Sequence, residues 1–139
     1  MTGPEKQDMD ANGVRIVATM YDRLSDGDLD AIQDYVAPDA RIIEAQGLPY
    51  SGTYTGPTGL SEIFAIIFAK ATMEVSDRVI ERAGDRVMAT MNVTFVARAT
   101  GRSVVTPVVE LFTVVEDRVT ELDIYYKDSG SVAALFTEV

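Results

Sequence analysis

Four consecutive segments of alternating apolar and polar residues fill the second half of the 139-residue chain and limit its possible folds most strongly. They span roughly residues 73–83, 86–99, 103–115 and 118–127. The breaks between them, "GD", "TGR" and "ED", are short enough for hairpin turns. Because parallel strands need a longer crossover than these breaks allow, the segments predict an antiparallel meander.

The first half of the chain adds helices to this sheet. Helical spacing predicts one helix over residues 10–24 and a second over 28–36, which together form an αα-hairpin. A short strand over 40–46, a loop over 47–59 and a largely covered helix over 60–71 follow, and residues 129–136 form a last short helix or tail. The order predicts one α+β domain over residues 12–139, with helices on one face of a curved antiparallel sheet. Residues 1–11 are expected to be disordered or loosely held.

The composition argues against several kinds of site. The chain has no cysteine and no histidine, which removes thiolate chemistry, the commonest general base and the usual zinc ligands. A net charge of −10 with scattered Lys and Arg argues against nucleic-acid binding. The longest apolar run, residues 63–69, is far shorter than the ~20 residues of a membrane span, and the chain does not begin like a signal peptide. We therefore expect a cytoplasmic protein that uses carboxylates, tyrosine, lysine or hydroxyls, with no metal and no other cofactor.

The alternation of side chains also assigns the faces of the sheet. The apolar set is odd-numbered in segment 86–99 and even-numbered in segment 118–127, and these sets are expected to face the helices. Segment 103–115 is apolar at both sets of positions, so periodicity leaves its orientation open. A strand that is apolar on both faces indicates that the outer face is covered as well. We therefore predict a homodimer formed through the sheet face.

Two glutamates interrupt apolar strand segments. Glu110 lies in "TPVVELFTVV", and Glu44 follows two isoleucines in "RIIEA". A buried carboxylate is costly unless it is paired or neutralised. Each glutamate could form a salt bridge, with Arg41, Arg98 or Arg102 as candidates, or could face solvent. Alternatively, both line one apolar cavity between sheet and helices, where complete burial would raise a carboxyl pKa by up to ~3–5 pH units.

Three stretches carry a resemblance to a known family: "MYDRLSDGDLDAIQDYVAPDARIIEAQG", "PYSGTYTGPTGLSEIF", and the last strands from "GDRVMATMNVTFV" to "LDIYYKD". Over about residues 12–136 the chain resembles the SnoaL-like branch of the nuclear transport factor 2-like superfamily, which includes ketosteroid isomerase. The resemblance implies a cone-shaped curved antiparallel sheet with three covering helices, the cystatin-like α+β barrel. It also implies an apolar pocket inside the cone and, usually, a dimer.

The resemblance also implies roles for individual residues. Glu44 falls where the isomerases carry the general base, and Glu110 falls where they carry the protonated acid of the oxyanion hole. The oxyanion tyrosine falls on Met20, with Tyr21 one position further and about 100° round the helix. A steroid-isomerase oxyanion hole is therefore expected to be incomplete. Tyr126 falls at an aromatic position that lines the pocket in relatives, whereas Tyr50 and Tyr54 belong to the loop at its mouth.

Two functions remain open. The first is a small cofactor-independent enzyme that performs acid/base proton transfer on an apolar small molecule, such as a polyketide or terpenoid, by isomerisation, cyclisation or epoxide opening. The second is a non-catalytic module that binds a hydrophobic ligand or a partner, for which methionine-lined walls are suited. Besides the catalytic pair Glu44 and Glu110, the candidate substrate-binding residues are Met20, Tyr21, Tyr50, Tyr54, Met91, Val93, Phe95, Phe112, Ile124 and Tyr126.

Overall fold

The structure, a computed structural model, describes residues 4–137 and the side chains from residue 12 onward. Its helices are α1 (Pro4–Ser25), α2 (Leu29–Gln33), α3 (Gly56–Lys70) and α4 (Ser129–Thr137), and its strands are β1 (Val36–Glu44), β2 (Gly52–Thr55), β3 (Ala71–Ala83), β4 (Arg86–Ala97), β5 (Ser103–Val115) and β6 (Arg118–Tyr126). Helix α1 begins at Pro4, earlier than predicted. Residues 1–3 of the segment expected to be loosely held lie outside the described residues, and its loose attachment stays a prediction.

All six strands belong to one curved sheet of order β2-β1-β6-β5-β4-β3. The predicted meander is confirmed, because β3, β4, β5 and β6 pair antiparallel in sequence order. The sheet as a whole is mixed rather than antiparallel, since β1 runs parallel to β6, with Ile42 opposite Leu122. Such a pair requires a long crossover. The segment from β2 to β5 supplies that crossover, so the α+β class holds with one parallel pair.

The loop predicted over 47–59 contains strand β2, which the composition of this segment did not predict. Strand β2 pairs with β1, with Thr53 opposite Ile43, although a glycine-rich segment has low strand propensity. Two glycines frame this strand, and Gly56 begins α3 with a φ of +70°. A Cβ at Gly56 would lie 2.4 Å from the carbonyl oxygen of Pro38. Only glycine allows this close approach between α3 and β1.

The boundary between α2 and β1 also differs from the sequence prediction. Helix α2 ends at Gln33, and β1 starts at Val36 and includes the "APD" that was expected only to end the helix. Asp28 caps α2 through a hydrogen bond from the backbone N–H of Ala31. The backbone N–H of Val119 in β6 donates to the carbonyl of Tyr35, which ties the start of β1 to the sheet. Pairing with β6 thus extends β1 toward α2.

The inner face of the sheet follows the predicted alternation. In β4 the odd positions are buried, and in β6 Leu122 and Ile124 are buried, as predicted. Strand β5 turns its even positions inward, so Glu110 lies on the same face as the buried Val108 and Phe112. This orientation settles what periodicity left open. Glu110 is an inner-face residue.

Some large apolar side chains of α3 and of the sheet are exposed on the surface. Ile66 is 39% exposed, so α3 is covered on one side only and the expectation of a largely covered helix is wrong. On the outer face of β5 and β6, Val105 and Tyr125 are more than half exposed. Across residues 4–137, the helices are all too short or too polar to pass through a lipid bilayer.

Candidate active site

An apolar cavity lies between the inner face of the sheet and helices α1, α2 and α3. Its volume is about 90 Å³. Two carboxyl groups and two phenol groups interrupt a wall that is otherwise aliphatic, aromatic or thioether. The lining residues are Met20, Tyr21, Leu24, Ile32, Glu44, Leu60, Ile63, Phe64, Ile67, Met73, Val75, Met91, Val93, Val108, Glu110, Phe112, Leu122, Ile124 and Tyr126.

Glu110 lies at the centre of the sheet, where β5 places it between Ala89 of β4 and Ile124 of β6. The hydroxyl of Tyr21 donates a hydrogen bond to its Oε1. The residue as a whole is half-buried, and it lines the cavity. Burial raises the pKa of Glu110 to about 7, and the hydrogen bond from Tyr21 opposes that rise. A hydrogen bond of this kind favours the ionised form of the acceptor.

Glu44 occupies the last position of β1 and is only 6% exposed. Its Oε1 is buried and accepts no hydrogen bond. Burial, with a further contribution from the charge of Glu110, raises the pKa of Glu44 to about 8, while a hydrogen bond from the backbone N–H of Ala45 opposes the rise. A buried oxygen without a partner is uncommon in folded proteins, and it is a ready acceptor or donor for a bound molecule.

Two of the three arginines considered as salt-bridge partners of these glutamates have other partners. Arg41 forms an ion pair with Glu121, at 3.1 Å between Nη1 and Oε1. The Nε of Arg98 donates to the carbonyl of Phe68 at 2.7 Å. The two glutamates instead share one cavity, and the charge on one raises the pKa of the other. Because the two carboxyl groups interact, their titration belongs to the pair as well as to each residue.

The predicted pocket residues divide into two groups. Seven of the predicted substrate-binding side chains line the cavity: Met20, Tyr21, Met91, Val93, Phe112, Ile124 and Tyr126. Phe95, which was expected in the wall, and Tyr50 and Tyr54, which were expected in the loop at the mouth, are not among the lining residues. Phe95 faces inward but stacks behind Tyr126, with ring centroids 6.0 Å apart, and is fully buried there.

Tyr50 and Tyr54 support the cavity wall from outside. The hydroxyls of Tyr50 and Tyr126 are 2.9 Å apart, and Tyr50 is fully buried against Phe136 of α4. Tyr54 donates to the carbonyl oxygen of Tyr50 at 3.1 Å. Tyr50 therefore packs onto α4 and contacts Tyr126 from behind the cavity wall, and Tyr54 of β2 contacts Tyr50.

A phenol reaches Glu110 in this chain although Met20 occupies the position that the resemblance implies for the oxyanion tyrosine, and the incomplete steroid-isomerase oxyanion hole stays a prediction. Met20 and Tyr21 both line the cavity although they are successive residues of α1. The concave sheet wraps around the helix, so a face wider than 100° is covered, and the long phenol of Tyr21 reaches Glu110. The ring of Tyr21 also packs edge-on against Phe112, with centroids 6.1 Å apart.

Sequence reasoning missed the part of the wall that comes from α3 and β3. Helix α3 contributes four side chains at helical spacing, Leu60, Ile63, Phe64 and Ile67. Met73 and Val75 of β3 complete this side. The odd-numbered alternation of β3 was the available signal for them.

Comparison with known proteins places the chain in a family. A model of the SnoaL-like domain matches residues 17–122. No functionally curated protein matches the chain. The solved structure of a nuclear transport factor 2-like protein of unknown function from Burkholderia pseudomallei is 21% identical, with a TM-score of 0.82 over 91% of this chain and 98% of that one.

Two further solved structures are similar in fold. A candidate polyketide cyclase from Xanthomonas campestris is 21% identical, with a TM-score of 0.80 over 92% of this chain and 98% of that one. TerC, solved with polyporic acid, is 19% identical, with a TM-score of 0.80 over 91% of this chain and 99% of that one. The chain therefore belongs to the SnoaL-like domain family and has the nuclear transport factor 2-like, cystatin-like fold.

Proposed function

We propose that this protein is a small enzyme that performs acid/base proton transfer, without a cofactor, on an apolar small molecule bound in the cavity. The reaction class is isomerisation, cyclisation or epoxide opening of a polyketide-like or terpenoid compound. The observation that carries the proposal is that Glu44 and Glu110 face one apolar cavity, with Oε1 of Glu44 buried and unpartnered. A carboxyl group whose pKa lies near neutrality can give and take a proton at physiological pH.

The hydrogen bonds favour a division of roles between the two acids that differs from the one implied by the family resemblance. Glu110 accepts from Tyr21, which stabilises its ionised form, so Glu110 is the better general base. Glu44 has an unpartnered Oε1, and burial favours its neutral form. Protonated Glu44 would donate to the oxygen on which negative charge develops, while Glu110 takes the proton from the neighbouring carbon.

The cavity limits the substrate. A volume of about 90 Å³ is smaller than the ~150 Å³ apolar cavity that accommodates benzene. A larger ligand must displace wall side chains, and Met20, Met73 and Met91 are flexible residues suited to that movement. The co-crystallisation of TerC with polyporic acid supports small-molecule binding within this fold.

The proposal is tested by carboxyl-carbon NMR of protein labelled at the glutamate side chains. Two resonances are expected to titrate well above the ~4.3 of an ordinary glutamate, and Glu44→Gln and Glu110→Gln would each remove one of them. The exposed Glu62→Gln serves as the matched control, because it should leave both raised resonances in place. Titration of Glu44 and Glu110 close to 4.3 would contradict the proposal.

A binding module is the second candidate, and the three methionines in the wall are the observation that favours it. The two candidates differ in what happens to a bound compound. Incubation of a ligand with the protein in deuterated water, followed by mass spectrometry, separates them. Deuterium incorporation or rearrangement that is lost in Glu110→Gln supports the enzyme, whereas an unchanged ligand in every variant supports the binder.

We also propose that two chains pair through the outer face of the sheet. Val109 lies between Thr90 and Tyr125 in neighbouring strands, so β4, β5 and β6 form a continuous and partly apolar surface. Val109→Glu should convert a dimer to a monomer in analytical ultracentrifugation. Ile66→Glu on α3 is the matched control and should not change the sedimenting mass. The cytoplasmic location stays a prediction from the sequence.

A further inference from the structure

A bulge in β3 places a cation beside Tyr21, the residue that donates a hydrogen bond to Glu110. The register between β3 and β4 shifts between Ser76 and Val79, and Asp77 at the shift has a φ of +55°, which is unusual for a residue other than glycine. The side-chain amide of Asn92 in β4 donates to Oδ2 of Asp77 at 2.9 Å. This hydrogen bond joins the bulged residue to the neighbouring strand.

The bulge changes which residues of β3 face the helices. Before it, the odd-numbered Met73 and Val75 pack against the core, and after it the even-numbered Ile80 does so. Arg78 thereby turns toward α1, where its Nη2 donates to Oδ1 of Asp22 at 3.1 Å. In an unbroken strand, Arg78 would continue the outward-facing set of Glu74 and Ser76.

The guanidinium of Arg78 lies over the ring of Tyr21, with 5.6 Å between its Cζ and the ring centroid. This distance is within the range of a cation–π interaction. The same ring packs against Phe112 and carries the hydroxyl that donates to Glu110. Arg78, Tyr21 and Glu110 therefore form a continuous series of contacts from the protein surface to the cavity.

We propose, on the basis of the proposed function, that Arg78 is a positioning residue for the acid/base pair: its guanidinium fixes the ring of Tyr21 and strengthens the phenol as a donor to Glu110. A positive charge over the ring lowers the pKa of the phenol. A phenol with a lower pKa is a stronger hydrogen-bond donor. Burial and the charge of Glu110 raise the pKa of Tyr21, and the charge of Arg78 opposes that rise. The effect on Glu110 is to favour its carboxylate, the form that a general base needs.

The other titratable groups around Glu110 set the size of the effect. Tyr21 faces it from α1, Glu44 from β1 and Tyr126 from β6, and the charges of Glu44 and Glu110 are coupled. Asp22 is exposed and pairs with Arg78, so it cancels part of the positive charge. We therefore expect Arg78 to adjust the proton affinity of Glu110 modestly, while burial remains the larger influence.

Carboxyl-carbon NMR titration of Glu110 tests the proposal without knowledge of the substrate. Arg78→Gln should raise the pKa of Glu110 by about half a pH unit, the size of a weak cation–π interaction. Arg78→Lys should restore part of the difference, because lysine keeps the charge but lacks the planar guanidinium. Arg41→Gln is the matched control, since it removes the same charge from the outer pair with Glu121 and should leave Glu110 unchanged. Near-ultraviolet circular dichroism verifies that each variant keeps its tertiary packing.

A double-mutant cycle distinguishes action through Tyr21 from direct attraction between charges. In a Tyr21→Phe background, Arg78→Gln should leave the pKa of Glu110 nearly unchanged. An equal effect of Arg78→Gln in both backgrounds would overturn the proposal, as would an effect no larger than that of Arg41→Gln. Either result leaves the raised titration of the wild-type pair, and hence the proposed function, standing. Ordinary titration of both glutamates in the wild type would instead contradict the proposed function itself.

Discussion

The hydroxyl of Tyr21 donates a hydrogen bond to Oε1 of Glu110, joining the first helix to the middle of the sheet across the cavity. This contact makes the two glutamates chemically unequal. Glu110 has a donor for its negative charge, whereas Glu44 has a buried oxygen without one. The inequality allows one acid of the pair to be ionised while the other keeps its proton.

Tyr21→Phe is expected to raise the pKa of Glu110 above about 7, because the ionised carboxylate loses its donor. A hydrogen bond to a charged group contributes about 1.5–3 kcal/mol, which corresponds to a rise of roughly 1–2 pH units. Carboxyl-carbon NMR titration measures this directly. The phenylalanine ring keeps the packing against Phe112. An unchanged pKa would mean that the phenol does not stabilise the carboxylate.

Glu110→Gln is expected to lower the pKa of Glu44 from about 8 while leaving it above 4.5. The substitution removes the negative charge that opposes ionisation of Glu44, but burial, the larger cause, remains. The same NMR titration follows the Glu44 resonance. A Glu44 resonance that stays near 8 would show that the two carboxyl groups are not electrostatically coupled.

The sequence predicted the meander and the apolar lining of β4 and β6 because alternation, hairpin length and burial all agree there. It could not orient β5, where both faces are apolar and Glu110 has apolar neighbours either way. It also missed β2, since the strand is formed by pairing with β1 against the propensity of its own residues. Local pattern was sufficient where one face of a strand differs from the other.

The candidate site was less predictable than the fold. The inward orientation of Glu44 follows from strand alternation, because Glu44 is two residues after the buried Ile42 and faces the same side. The contact of Tyr21 with Glu110 depends on how far the sheet wraps around α1, and no linear spacing encodes that curvature. The orientation of Arg78 toward α1 depends on the bulge at Asp77, and no pattern in the sequence predicts that bulge. Residues that act through bends in the sheet therefore emerged only from the structure.

The stability of the protein is expected to fall as pH rises, because Glu44 binds its proton more tightly when folded than when unfolded. Its pKa is about 8 in the folded chain and 4.5 as the ordinary value, so the folded state holds more protons between these limits. The stability that this proton contributes is fully present below about pH 4.5 and is lost by about pH 8, and it amounts to about 5 kcal/mol in all. Urea unfolding at pH 5 and pH 9 measures the difference.

Glu44→Gln tests the origin of this pH dependence, since the amide cannot ionise and fits nearly the same space. The variant should lose less stability between pH 5 and pH 9 than the wild type does. Glu62→Gln is the control, because Glu62 is exposed on α3 and its substitution should leave the slope unchanged. An equally steep slope in Glu44→Gln would assign the pH dependence to other groups.

Gly56→Ala is expected to destabilise the fold by more than the ordinary cost of a left-handed alanine. The new Cβ would lie 2.4 Å from the carbonyl oxygen of Pro38. Because this oxygen belongs to the backbone and not to a flexible side chain, the backbone of β1 or of α3 must move. Gly84→Ala is the matched control, since Gly84 has a similar φ of +65° but nothing lies within 4 Å of its added Cβ. The control should lose roughly 1 kcal/mol from backbone strain alone, and Gly56→Ala should lose at least twice as much. Urea unfolding of the two variants compares these losses, and equal losses would mean that α3 can shift away from β1 without cost.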